Sequence, residues 1–154
     1  MKLYLVQHGE ACAKEVNPER PLTDQGKLDV EQLAGFLKRS DIQLGRVMHS
    51  GKLRARQTAE CLANAIASGV ALEINGQMNP NDNPQAFDWQ GDSSGVDTLI
   101  VGHLPFMAKL VSHLLIEDVD SLITAFQPGS VVCLEQTNDA CWQINWMIRP
   151  ELFR

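Results

Sequence analysis

The sequence predicts a single three-layer α/β/α domain over residues 1–154, with a mostly parallel sheet and a hairpin at its C-terminal side. Three observations predict it. Short apolar runs that read as buried strands alternate with stretches of helical periodicity. The last two apolar runs instead flank a turn signal, Asn138-Asp139, as hairpin strands do. The 154 residues, 44% hydrophobic and 21% charged, match one globular domain with a core of its own.

Taken in order, Leu3 to Val6 is a short buried strand that stops at His8-Gly9. Pro18 and Pro21 mark the loop that follows. Thr23 is placed to cap a helix in which Val30, Leu33, Ala34 and Leu37 recur on one face. Arg46 to His49 forms a second strand and enters a helix near Ser50, with Ala55, Ala59, Leu62 and Ile66 on its apolar face and Gly69 as its stop. Val70 to Ile74 is a third, weaker strand. Residues 75–95 are rich in Asn, Asp, Ser, Pro and Gly and show little periodicity. They predict a long loop with one helical turn near Phe87, and a loop of that length is commonly functional or mobile. Thr98 to Val101 is the clearest buried strand. Pro105 suits the first turn of the next helix, whose apolar face carries Met107, Leu110, Val111 and Leu114. Ser130–Leu134 and Trp142–Ile148 then form the hairpin.

Charge narrows the function. Thirteen Lys and Arg stand against 19 Asp and Glu, a net charge of −6. That excludes nucleic acid or an anionic membrane as a partner held by general electrostatics, yet permits one locally positive pocket. The opening Met1-Lys2-Leu3-Tyr4-Leu5-Val6 meets Gln7 and His8 before a signal-peptide core could form. No apolar run reaches the roughly 18 residues of a membrane span. Cys12, Cys61, Cys133 and Cys141 have no paired metal spacing and read as reduced thiols, mostly core filler. The expectation is a cytoplasmic monomer without a metal site.

Three strand ends carry polar clusters: Gln7-His8-Gly9-Glu10, His49-Ser50 followed by Arg54, and Gly102-His103. In a parallel sheet such ends share one crevice, the usual place for a ligand. Two imidazoles and a guanidinium converging there suit phosphate chemistry. Imidazole can attack phosphorus, and a guanidinium matches phosphoryl oxygens as a bidentate donor. Taken singly, each residue also has a plain structural explanation: a strand-end histidine that only hydrogen-bonds, or an arginine that only solvates a helix.

The spacing of these clusters resembles the histidine phosphatase superfamily. Leu5-Val6-Gln7-His8-Gly9-Glu10-Ala11 is similar to its Arg-His-Gly opening, with Gln7 in place of Arg. Arg20-Pro21-Leu22-Thr23, followed by Gly26, is similar to the segment leading into its first helix. Ser50-Gly51-Lys52-Leu53-Arg54-Ala55-Arg56-Gln57-Thr58-Ala59 matches its Ser-x-x-x-Arg-Ala-x-Gln-Thr-Ala helix start, and Val101-Gly102-His103-Leu104-Pro105 its second-histidine motif. Short length and motif order resemble the small phosphohistidine phosphatases, over nearly the whole chain. The resemblance implies a phosphoglycerate mutase-like fold and a phosphohistidine phosphatase. His8 would be the nucleophile, Arg54 the phosphoryl clamp, and His103 a donor to the same group, with Gln7, Gly9 and Ser50 lining the phosphate site. No metal or organic cofactor would be needed. The substrate would be phosphohistidine on a signalling or phosphotransfer protein.

Two departures qualify this. Gln7 brings hydrogen-bond donors but no charge, and Arg20 could compensate if its loop folds over the pocket. The position where larger members carry an acid holds Gln77, leaving Asp82 and Glu10 as candidate acids. Two other functions fit the same residues: a phosphatase of a small phosphoester metabolite, and a phosphate-binding module that no longer catalyses. His49, His113, Trp89, Trp142 and Trp146 read as structural.

Overall fold

The computed structural model describes all residues from Met1 to Arg154. Its strands are β1 (Lys2–Gln7), β2 (Arg46–His49), β3 (Leu72–Ile74), β4 (Thr98–Gly102), β5 (Val131–Gln136) and β6 (Trp142–Ile148). The helices are α1 (Asp24–Arg39), α2 (Leu53–Ile66) and α3 (Phe106–Ile116). The strands form one six-stranded sheet in the order β3-β2-β4-β1-β5-β6. The pairings β3·β2, β2·β4 and β4·β1 are parallel, and β1·β5 and β5·β6 antiparallel. This is the mostly parallel α/β fold with a hairpin that the sequence predicts.

Strand alternation builds the layers. Tyr4 and Val6 of β1, Val47 of β2, Leu99 and Val101 of β4 and Val131 and Cys133 of β5 face α1 and α2. Leu3, Leu5, Met48, Ile100, Val132 and Leu134 face the other way, onto Phe106, Met107, Leu110 and Val111 of α3. Side chains of period two on every central strand therefore fill two separate cores. Thr23 caps α1 by accepting from Gly26 N at 3.0 Å. The molecule has no helix long and apolar enough to cross a membrane.

Several elements differ from expectation. The segment after β3 has one 3₁₀ turn, Pro84–Ala86, beside Phe87, but it is pinned rather than loose. Met78, Phe87 and Trp89 are buried in the α3-side core, and Asp and Asn side chains cap its turns locally. Isolated apolar residues without a period are what this anchoring requires, so periodicity misses it. α2 starts at Leu53, three residues after Ser50, because Gly51 at φ 88° lies outside helical backbone. α3 starts at Phe106, one residue after Pro105. A 3₁₀ turn at Pro150–Phe153 has no counterpart in the sequence reading. It packs Phe153 against Phe36 and pairs Arg154 with the buried Asp29 of α1 at 2.7 Å. Cys133 is core filler, but Cys141 is exposed on the β5–β6 turn, where hairpin geometry leaves nothing to cover it.

Candidate active site

Parallel pairing sets the C-terminal ends of β1, β2 and β4 side by side. Gln7 pairs with Gly102, and His49 with Val101, so the next residues, His8, Ser50 and His103, emerge at one edge. The His8 and His103 rings lie 5.0 Å apart, centroid to centroid, tilted at 53°. Arg54, in the first turn of α2, reaches the same place, and its Nε donates to His8 Nε2 at 3.3 Å. Two imidazoles, a hydroxyl and a guanidinium thus meet at the strand ends.

His8 is held on every side. Its N–H donates to Gly102 O at 3.1 Å, and its carbonyl accepts from Gly129 N at 3.0 Å. The ring Nδ1 lies 2.7 Å from Gly9 O. A carbonyl only accepts, so Nδ1 carries the proton and Nε2 keeps the lone pair, facing Arg54. Burial, reinforced by the charges of Arg54 and Arg20, lowers the His8 pKa to about 4, although the Gly9 hydrogen bond opposes the shift. Burial and the charges around it, those of His8, Arg54, Lys52 and Arg20, push His103 down to about 3. Both rings are neutral at pH 7.

His103 Nε2 lies 2.6 Å from Ser50 Oγ. The other ring nitrogen, Nδ1, is buried without a partner, so the form in which Nε2–H donates to Ser50 is the one that leaves a donor, the Ser50 hydroxyl hydrogen, for an anion. The ion pairs of the molecule use Arg46, Arg56, Arg149 and Arg154, and neither Arg54 nor Arg20. The cations are unneutralised, and such a crevice attracts an anion.

The structure brings together His8, Arg54, His103 and Ser50, with Gln7 at the end of β1. Gln7 is buried and its Oε1 has no partner. Arg20 sits at positive φ, 51°, with its Nε on Cys12 O at 3.0 Å, and its charge acts on both histidines. The Gly9 N–H is not free for a phosphate, because it donates to Thr58 Oγ1 at 3.0 Å. What requires a glycine there is packing: a Cβ would stand 2.8 Å from Val30 Cγ2. Glu10 is turned to the α1 cap, accepting from Thr23 Oγ1 at 2.7 Å. Asp82 accepts from Asn79 N at 2.7 Å, closing a turn beside Gln77. Neither carboxylate is hydrogen-bonded to the histidine pair. His49 is buried, and its Nδ1 accepts from Gly51 N at 3.0 Å. Nowhere do three His, Cys, Asp or Glu side chains gather as metal ligands would.

Thr58 and Gln57 escaped the sequence reading as site residues. The fully buried Thr58 hydroxyl accepts from Gly9 N and donates to Arg54 O at 2.8 Å, tying the His8 loop to the helix that carries Arg54. Gln57 Oε1 accepts from Leu22 N at 2.8 Å and fixes the loop before α1. Their place inside the Gln-Thr pair of the helix-start motif was the available signal.

Comparisons with known proteins bear on the family and the fold. A family model described as histidine phosphatase superfamily (branch 1) matches residues 3–78. The phosphohistidine phosphatase SixA of Escherichia coli K12 is 27% identical over 158 residues, covering 97% of this chain and 94% of that protein. A solved structure of the protein histidine phosphatase SixA complexed with tungstate superposes with a TM-score of 0.86 over 100% of both chains, at 23% identity. The alpha-ribazole phosphatase of Shigella flexneri shares the fold at a TM-score of 0.77 and 17% identity, with 97% of each chain covered. The chain belongs to the histidine phosphatase superfamily.

Proposed function

We propose that this chain is a cytoplasmic phosphohistidine phosphatase acting on a phosphotransfer or signalling protein through a covalent phospho-His8 intermediate. The observation that carries the reading is the tautomer of His8: Nδ1–H donates to Gly9 O, which leaves the Nε2 lone pair on the side of Arg54, whose Nε donates to it at 3.3 Å. Nε2 attacks phosphorus, a P–N bond forms to His8, and the P–N bond to the substrate imidazole breaks. The Gly9 carbonyl, accepting from Nδ1, steadies the positive charge that the ring gains. Arg54, Arg20 and the spare donor of the Ser50–His103 pair stabilise the transferring phosphoryl oxygens. Water then attacks phosphorus, the bond to Nε2 breaks, and orthophosphate leaves with the proton surrendered by the water. No step calls for a metal or an organic cofactor.

The leaving group supports phosphohistidine over an alkyl phosphate. An alkoxide gains about 10²–10⁴-fold from a positioned acid. Glu10 and Asp82 are hydrogen-bonded elsewhere, and Gln77 cannot deliver a proton. A phosphorylated imidazole is already protonated near neutral pH and departs neutral, so it needs no acid. The SixA likeness, at 27% identity, supports the same class.

The test is turnover of a histidine-phosphorylated protein beside alkyl and aryl phosphate monoesters. Rapid quench should place acid-labile, base-stable phosphate on His8, and Arg54→Ala should lower kcat/KM by about a hundredfold or more. Alkyl monoesters hydrolysed as efficiently as phosphohistidine would overturn the substrate class. Label on His103 alone would overturn the nucleophile.

A further inference from the structure

We propose that Ile74 and the groove beside Gly51 form the docking face for the folded protein that carries the phosphoryl group; the inference rests on the phosphohistidine reading above. Ile74 ends the edge strand β3 with 71% of its surface exposed, and a Cβ built on Gly51 would stand 3.1 Å from its Cγ2. Gly51, with Glu19, Leu53 and Arg56, lines a groove of about 470 Å³. Ile74 pairs with His49, the residue before Ser50, so it stands at the same strand-end edge as the histidine pair.

The Ile74 side chain belongs to neither core. It serves as an anchor, because an apolar side chain beside a polar rim is what a protein contact desolvates. Charge fixes the occupant. The chain as a whole is acidic, with a net charge of −6, and Arg56 is paired with Glu60. The charges of Arg20, Lys52 and Arg54 all act on His103. A partner presenting a phosphoryl dianion from its own surface meets those cations while its apolar neighbours cover Ile74.

The experiment compares two substrates in wild type and in Ile74→Glu and Ile74→Ser. One is a phosphotransfer domain, phosphorylated on its histidine, that the wild-type chain turns over. The other is phosphoimidazole, which is too small to span from His8 to Ile74. The expected result is a KM for the domain raised about tenfold, with phosphoimidazole kcat/KM unchanged within twofold. An unchanged KM for the domain overturns the docking face and leaves the enzymatic reading intact. An equal loss on both substrates also overturns it, since Ile74 would then be supporting the site. If wild type turns over neither substrate, the enzymatic reading itself fails.

Discussion

Gln7 stands where the superfamily motif carries an arginine, and its fate decides how the phosphate is held. It is buried at the end of β1, with Oε1 unpartnered, while Arg20 brings a second guanidinium charge to the histidine pair from another loop. Gln7→Arg should therefore tighten inorganic phosphate or tungstate about tenfold or more, read by calorimetric titration, since a charge-assisted bond is worth about 1.5–3 kcal/mol. Unchanged affinity would mean that Arg20 already fills the role. At this scale the sequence was informative about identity and silent about partners. His8, Arg54, His103 and Ser50 were legible because each follows a strand end in a recognisable motif. That the Gly9 N–H is taken by Thr58, or that Glu10 turns to Thr23, depends on contacts between residues 49 and 13 positions apart, which no local pattern records.

Elements with strong periodicity were legible to within a few residues. Trp142–Ile148 and Arg46–His49 match their expected bounds, and the Thr23 cap of α1 follows from its side-chain chemistry. The segment between β3 and β4 was not, because its order comes from single anchors rather than a repeating face. Trp89, 6% exposed, packs against Trp142 with centroids 5.8 Å apart, and its carbonyl accepts from Arg46. Trp89→Ala should cost about 3–5 kcal/mol in denaturant unfolding. It should also raise hydrogen exchange from Gly76 to Gln90 ahead of the sheet. A variant that exchanges no faster there would show that Met78 and Phe87 hold the segment alone. The Pro150–Phe153 turn was equally invisible: its reason to exist is Asp29, a buried carboxylate 125 residues away from its Arg154 partner.

For the whole molecule, two neutral histidines make folding sensitive to acid. The ordinary histidine pKa is 6.5, against about 4 for His8 and about 3 for His103 in the folded state. Between those values the unfolded chain binds more protons than the native one, so stability is full above pH 6.5 and falls as pH drops towards 4 and 3. The slope from both rings approaches about 2.7 kcal/mol per pH unit. His8→Ala should halve it in chemical unfolding followed from pH 7 to 4.5, and a slope untouched by that change would mean the ring ionises freely in the native state. The same crowd of cations works against the empty protein: Arg54, Arg20 and Lys52 repel one another until an anion arrives. Orthophosphate, the last species to leave in the proposed mechanism, is such an anion, so the product of the reaction should itself brace the fold. Phosphate should raise the melting temperature in a saturable way, by RT ln(1 + [L]/Kd), and inhibit turnover competitively with the same Kd.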